Sequence, residues 1–296
     1  MNSTGHGVCF PATTLRGGSK QNGGNDMLFL AKDLEASRVN LLMNDFAAGL
    51  PSPLAFLGLG EAVGRSLGAE NWSVAVLPVL HRVDASEGRT RPEYSTRRDK
   101  AKFQPDEIAE DLNGMVKASL LLDIPDVTDD QRVREALIGR RIAGGPIHNQ
   151  DISVVRPTAD GSCFNDISRG YAMLPAMPPK SHVIATGAIS GLQAFAAELY
   201  PAEREPGTGW IVPVAVGHRL LEDPASSPKR SNTRNPSIPH VFSEPVVGMA
   251  ELVSVRSRRL RDLSDTTLQD LFWRWRAEGD WIVGHQNYHP NQHAAT

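Results

Sequence analysis

The run SVAVLPVLHRV at residues 73–83 constrains this chain more than any other segment. It is of strand length, nearly apolar throughout and rich in valine. It shows neither helical spacing nor two-residue alternation, so it reads as a strand covered on both faces. VKASLLLDI (116–124) and GWIVPVAVG (209–217) have the same character, and residues 27–42, opening MLFLAKDL, read as a further strand or strand pair. Two amphipathic segments lie between these runs. Pro51, Ser52 and Pro53 open a helix that carries Phe56, Leu59, Val63 and Leu67 on one stripe. Thr128 is placed to cap a second helix, with Asp129 and Asp130 at its positive end, Val133, Ala136 and Leu137 on its apolar face, and Gly144–Gly145 just beyond. Ser264 is placed to cap a last helix, in which Leu268, Leu271, Phe272 and Trp275 follow helical spacing.

The order is strand, helix, strand, polar excursion (84–105), strand, helix, strand. This is an α+β plan of the βαββαβ, ferredoxin-like kind, to which the second half adds strands and a C-terminal helix. Residues 1–26, rich in Gly, Asn, Ser and Thr, read as a flexible extension to a single domain over 27–283. Residues 222–240, rich in Pro, Ser and Asn, read as a mobile loop, and 284–296 as a polar tail. No apolar run has the length of a membrane span, and no basic-then-apolar leader is present, so neither membrane insertion nor secretion is expected. Two cysteines, Cys9 and Cys163, form neither a disulfide framework nor a four-cysteine zinc site.

The net charge of -3 argues against a nucleic-acid partner only if the charge is evenly spread. It is not. Residues 89–102 hold Arg89, Arg91, Arg97, Arg98, Lys100 and Lys102 against Glu93 and Asp99, with Tyr94 among them. Cations that hold phosphates, interleaved with a ring that stacks on a base, suit a single nucleic-acid strand; the plain alternative is a solvated charged hairpin. Arg140 and Arg141 offset the dipole at a helix end, or grip phosphate beside glycines that let a backbone approach. Arg256, Arg258, Arg259 and Arg261 form a third cluster, suited to bidentate phosphate contact or to pairing with neighbouring carboxylates.

Other motifs fit chemistry less well. Gly58, Gly60 and Gly64 brush against a dinucleotide fingerprint, but they fall inside a helix and the last glycine is one residue late; Gly60, Gly64 and Gly68 instead form a smooth helix face. Asp160-Gly161-Ser162-Cys163-Phe164 resembles the nucleophile segment of ovarian-tumour-type cysteine proteases, with His285 or His289 as base. His285, His289 and His293 share a four-residue spacing, but Pro290 interrupts any helix that would align them on a metal. His81, at the end of a buried strand, is a possible general base, or a polar residue marking a strand end.

The segment LPSPLAFLGLGEAVGRSL (50–67) resembles the P-S-P-x-A-F-x-G helix of a repeat-associated (RAMP) superfamily subunit of the type I-F CRISPR surveillance, or Csy, complex. That subunit caps the 5′ handle of the crRNA. SVAVLPVLHRV, ASLLLDI, RRIAGGPI, GWIVPVAVG and VVGMAELVSV…LSDTTLQDLFW follow in the family's order, so the resemblance runs from about residue 38 to 283. It implies an RRM-like RAMP core with an inserted basic thumb at about 84–112. It also implies a non-catalytic role without cofactor or metal, in the cytoplasm of a prokaryote. The implied partners are the crRNA 5′ handle, the large effector subunit, the backbone RAMP subunits and, through the complex, target double-stranded DNA. By position His81, Arg82, Arg89, Arg91, Arg97, Arg98 and Lys100, with Tyr94 and Lys102 beside them, fall on the RNA-facing insertion, and Arg140 and Arg141 on the AGG segment. The extension 1–26 and the stretch between Gly145 and Gly209 depart from the family pattern. Some RAMP relatives cleave crRNA precursors; here His81 with Tyr94 or Lys100 would have to supply that chemistry. A cysteine hydrolase using Cys163 is the remaining alternative.

Overall fold

The structure, a computed structural model, describes residues 28–44, 47–86, 89–94, 105–158, 160–176, 188–204, 207–227, 230, 240–263 and 268–285. In chain order the elements are β1 (Leu28–Asn40), α1 (Pro53–Leu67), β2 (Ala75–Ala85), β3 (Arg89–Tyr94), β4 (Pro105–Asp111), β5 (Asn113–Asp123), α2 (Asp130–Leu137), β6 (Arg141–Ile142), β7 (Gly145–Pro146), β8 (Ser153–Val155), β9 (Tyr171–Pro175), α3 (Ala188–Leu199), β10 (Trp210–Leu220), β11 (Ser243–Ser254), α4 (Arg258–Arg261), β12 (Arg274–Glu278) and β13 (Trp281–His285). The chain is α+β, built on a nine-stranded antiparallel sheet in the order β12-β13-β10-β11-β9-β2-β5-β1-β8. β5 lies between β1 and β2 and is antiparallel to both, so β1 and β2 run parallel, with α1 as the connection between them. β8, which follows α2, pairs with the outer side of β1.

Over 75–80 of β2 and 118–123 of β5 both faces are buried, as the unbroken apolar runs require, whereas β10, expected from 209–217 to be covered in the same way, is mostly half-exposed, with only Val214 and Gly217 buried and Trp210 open to solvent. In β5, Val116, Ala118, Leu120 and Leu122 face one core with Phe56, Leu57, Val63, Val133 and Leu137 of the two helices. Leu121 faces a second core with Cys163, Phe164, Ile167, Leu260, Leu268, Leu271 and Phe272. α1 starts as its sequence predicts, with Ser52 as cap: its Oγ accepts from Leu54 N at 3.1 Å and donates to the Ala215 carbonyl of β10 at 2.6 Å. The smooth glycine face is used for packing, not for nucleotide. A Cβ on Gly60 would lie 2.7 Å from Val76 Cγ1, and one on Gly64 2.6 Å from Val74 Cγ2, so α1 sits closer to β2 than any side chain there permits. Gly68 leaves that face and ends the helix in the left-handed region at φ +93°.

Two expectations are corrected. Asp129, not Thr128, caps α2: its carboxylate accepts from Gln131 N and Arg132 N, a charge-assisted cap that a threonine hydroxyl cannot match. The helix predicted to follow Ser264 does not form over the described residues. Leu268–Leu271 make one 3-10 turn, and the chain then enters the β12–β13 hairpin, so Trp275 lies in a strand. The reason is visible in neighbouring residues. Phe272 enters one core and Trp273 the other, a two-residue alternation that a helix cannot satisfy. Trp273 also exchanges two backbone hydrogen bonds with Val76 of β2, at 2.7 and 3.0 Å. Because Val76 pairs with Leu122 on its other side, the far strands curl back and close over α1 onto β2.

Candidate nucleic-acid interface

The second core covers only part of its face of the sheet. Along β5 that face runs Leu121, Ser119, Lys117, Met115, passing from fully buried through the buried hydroxyl of Ser119 to an open end. The covering segment stops at Ser168–Gly170. There the two central strands are irregular. β2 bulges between Leu80 and Arg82, placing His81 in the bulge, and β1 bulges between Ala31 and Leu34, where Asp33 has φ 52°.

His81 joins these irregularities. Its Nδ1 lies 3.0 Å from the Arg169 carbonyl, which only accepts, so Nδ1 carries the hydrogen. Its Nε2 lies 2.7 Å from Ser119 Oγ, which also accepts from Asp33 N at 3.0 Å. Both ring nitrogens are thus engaged within the protein, and His81 is a strut between β2, β5, β1 and the 168–170 turn. Arg82 is open to solvent and pairs with Asp84, Nε to Oδ2 at 2.6 Å. Sequence reasoning passes over Lys117. It stands beside Arg82 on the open face and pairs with Asp33 at 3.4 Å and Glu35 at 3.2 Å. Hydrogen bonding to Glu35 leads the causes that raise its pKa. Single-residue signals do not reveal Lys117, because its place follows from strand register.

β3 and β4 extend the β2–β5 ladder beyond the sheet as an antiparallel pair inside the span predicted as the excursion, with Arg89 opposite Asp111 and Tyr94 opposite Pro105. Backbone positions are described for Arg89, Arg91 and Tyr94, whereas Arg97, Arg98, Lys100 and Lys102 lie outside the described residues. The pairing changes the charge reading. β4 brings Asp106, Glu107, Glu110 and Asp111, so the six cations of 89–111 are balanced by six carboxylates, and the positive excess is confined to the connection between β3 and β4.

Arg140 and Arg141 flank the same end of the sheet. β6 and β7 are joined through Ala143 (φ 45°) and Gly144 (φ 83°), a two-residue turn with both central residues left-handed. Gly145 packs so closely on β1 that a Cβ there would lie 2.4 Å from the Ser37 carbonyl. Arg140 Nε donates to the Ala136 carbonyl at the end of α2, at 2.8 Å, and Arg141 donates to the Gly144 carbonyl at 2.9 Å. These bonds give both arginines structural work. Asn40 N bonds the Ala143 carbonyl, and Ser86 N the Asn113 carbonyl, so this turn and the root of β3–β4 share one end of the sheet.

Two arginines of the third cluster, Arg256 and Arg259, are engaged within the protein. Arg259 meets the buried carboxylate of Glu251 at 2.5 Å, and Arg256 reaches the Ile167 carbonyl at 3.4 Å. Cys163 is buried, and burial, with the nearby charge of Asp160, pushes its thiol up to about 12. A nucleophilic cysteine needs the opposite shift. The consequence is measurable. The folded state holds the thiol proton above the ordinary value of 9.0, so stability is full below that pH and falls as pH rises toward 12, by up to about 4 kcal/mol. Urea midpoints measured from pH 8 to 11 are expected to fall more steeply for the wild type than for Cys163→Ala. His285 ends β13, while His289 and His293 lie outside the described residues. Among the described residues, no group of three or more His, Cys, Asp or Glu is placed to hold a metal, and no helix is long and apolar enough to cross a membrane.

Residues 189–282 match the model of a family of CRISPR-associated proteins, Cas_Csy2. The match covers α3 and the curled strands β10 to β12, and it falls within the span over which the sequence resembles a subunit of the Csy complex. No curated protein matches the chain.

Proposed function

We propose that this chain, a CRISPR-associated subunit of the Csy type, is a non-catalytic component of a type I-F effector complex. It binds the crRNA 5′ handle and, with the large subunit, caps the foot of the complex for DNA target recognition. The observation that carries the reading is the Cas_Csy2 match over residues 189–282, in a chain whose other family-like segments occur in the family's order. The strand order β2-β5-β1-β8, with α1 and α2 as the two connections, supports a ferredoxin-like RAMP core. An uncovered half-face of such a sheet, continuing into a hairpin with a basic connection, suits a single RNA strand whose unstacked bases are held by loops and rings. The backbone RAMP subunits would be its neighbours, in a prokaryotic cytoplasm.

A catalytic role is weighed against binding by His81, whose ring nitrogens are both occupied by structural partners. Incubating the pure full-length chain with repeat RNA separates the two. The expected result is a shifted, uncut RNA for wild type and for His81→Ala. A defined cut that disappears in His81→Ala would establish an endoribonuclease and overturn the reading.

A further inference from the structure

Arg82 and Lys117 stand directly opposite each other on neighbouring strands β2 and β5, in register and on the same open face. Like charges in this arrangement repel, their Cβ atoms being about 5 Å apart. The protein offsets the repulsion from outside the pair. Asp84, two residues along β2, holds Arg82 at 2.6 Å, and Asp33 and Glu35 on β1 hold Lys117 at 3.4 and 3.2 Å. All five side chains are well exposed, so the ion pairs add at most about 1 kcal/mol each to stability. Stability alone gives little reason to set two cations side by side and surround them with three carboxylates.

The geometry points to a two-cation phosphate clamp. We propose that Lys117 and Arg82 together take one backbone phosphate of a bound RNA strand, and that Asp33, Glu35 and Asp84 hold the clamp closed until a correctly positioned strand displaces them. This rests on the proposed RNA-binding role and adds to it a residue, Lys117, and a source of selectivity. Carboxylates occupying the cations in the free protein make every polyanion compete for them. A strand held elsewhere, by the hairpin and the partner subunits, competes at high local concentration, whereas a passing RNA does not. The electrostatic face is thereby kept from binding indiscriminately, in keeping with the slightly negative whole chain.

The test titrates the full-length chain with a fluorescent RNA copy of the repeat-derived 5′ handle and with oligo-uridine, across a salt series. Lys117→Met is expected to lower the single-strand salt slope by about 0.7 and the handle affinity about fivefold at 0.1 M salt, with Arg82→Gln acting similarly. Thermal melting should stay close to wild type. Glu35→Gln combined with Asp84→Asn is expected to raise oligo-uridine affinity several-fold and to narrow the preference for the handle. If the handle binds and Lys117→Met keeps the wild-type slope, or lowers only the melting temperature, the clamp is wrong while the proposed function stands. If the wild-type chain binds no handle RNA, both fall.

Discussion

Replacing Arg97, Arg98, Lys100 and Lys102 together with alanine is expected to flatten the salt dependence of handle binding by up to about 3, at roughly 0.7 for each phosphate that a single strand no longer has neutralised. At 0.1 M salt that slope corresponds to an affinity loss of up to roughly several hundredfold, and at 1 M salt the variant and wild type converge. The residues are chosen because the register of β3 on β4 sets Arg89 opposite Asp111, and the sequence of β4 carries Asp106, Glu107, Glu110 and Asp111 against Arg89 and Arg91 of β3. The cationic excess remains in the connection, where Asp99 alone opposes the four cations. Fluorescence anisotropy at five salt concentrations gives the slope directly. A variant with the wild-type slope and affinity would remove the hairpin from the RNA path.

The largest stability effect is expected at Trp273. Its side chain is buried, its Nε1 donates to the Met173 carbonyl at 2.8 Å, and its backbone closes the curled strands onto Val76. Trp273→Ala removes a ring from the core shared with α1 and leaves a cavity, a change that costs about 3–5 kcal/mol. Trp273→Phe keeps most of the volume but strands the Met173 carbonyl, for about 1–3 kcal/mol. Urea unfolding should place the wild type highest, Trp273→Phe next and Trp273→Ala lowest. A loss below about 1 kcal/mol for Trp273→Ala would mean that the closure seen between Trp273 and Val76 does not bear on the fold's stability.

The elements legible in the sequence are those whose cause is local. Ser52 and Pro53 announce α1 because cap and first-turn chemistry act within four residues. Val74 to Leu80 announce a doubly buried strand because both faces need apolar side chains. The C-terminal segment misleads for the complementary reason. Leu268, Leu271, Phe272 and Trp275 match a helical spacing, but the partner that decides between helix and strand is Val76, almost two hundred residues away. The three-residue β8 is too short to leave a pattern, and its pairing with β1 comes from the topology. The site divides in the same way. His81 and Arg82 are legible as polar residues ending a buried run, but their roles are not. His81 is a strut because Ser119 and Arg169 meet it across strands, and Lys117 gains significance only through its register with Arg82. The charge excess of 89–102 is real as a window and shrinks when the partner strand is counted.

The most direct test of the proposed role is a native purification. The full-length chain, tagged and produced in its native host, is isolated at moderate salt, and its companions are read by mass spectrometry and RNA sequencing. The expected result is an assembly with a large effector subunit and RAMP backbone subunits on one crRNA, with the 5′ handle protected from nuclease and cross-linking to this chain. A chain that emerges without RNA, or in an assembly whose handle cross-links only to other subunits, would contradict it.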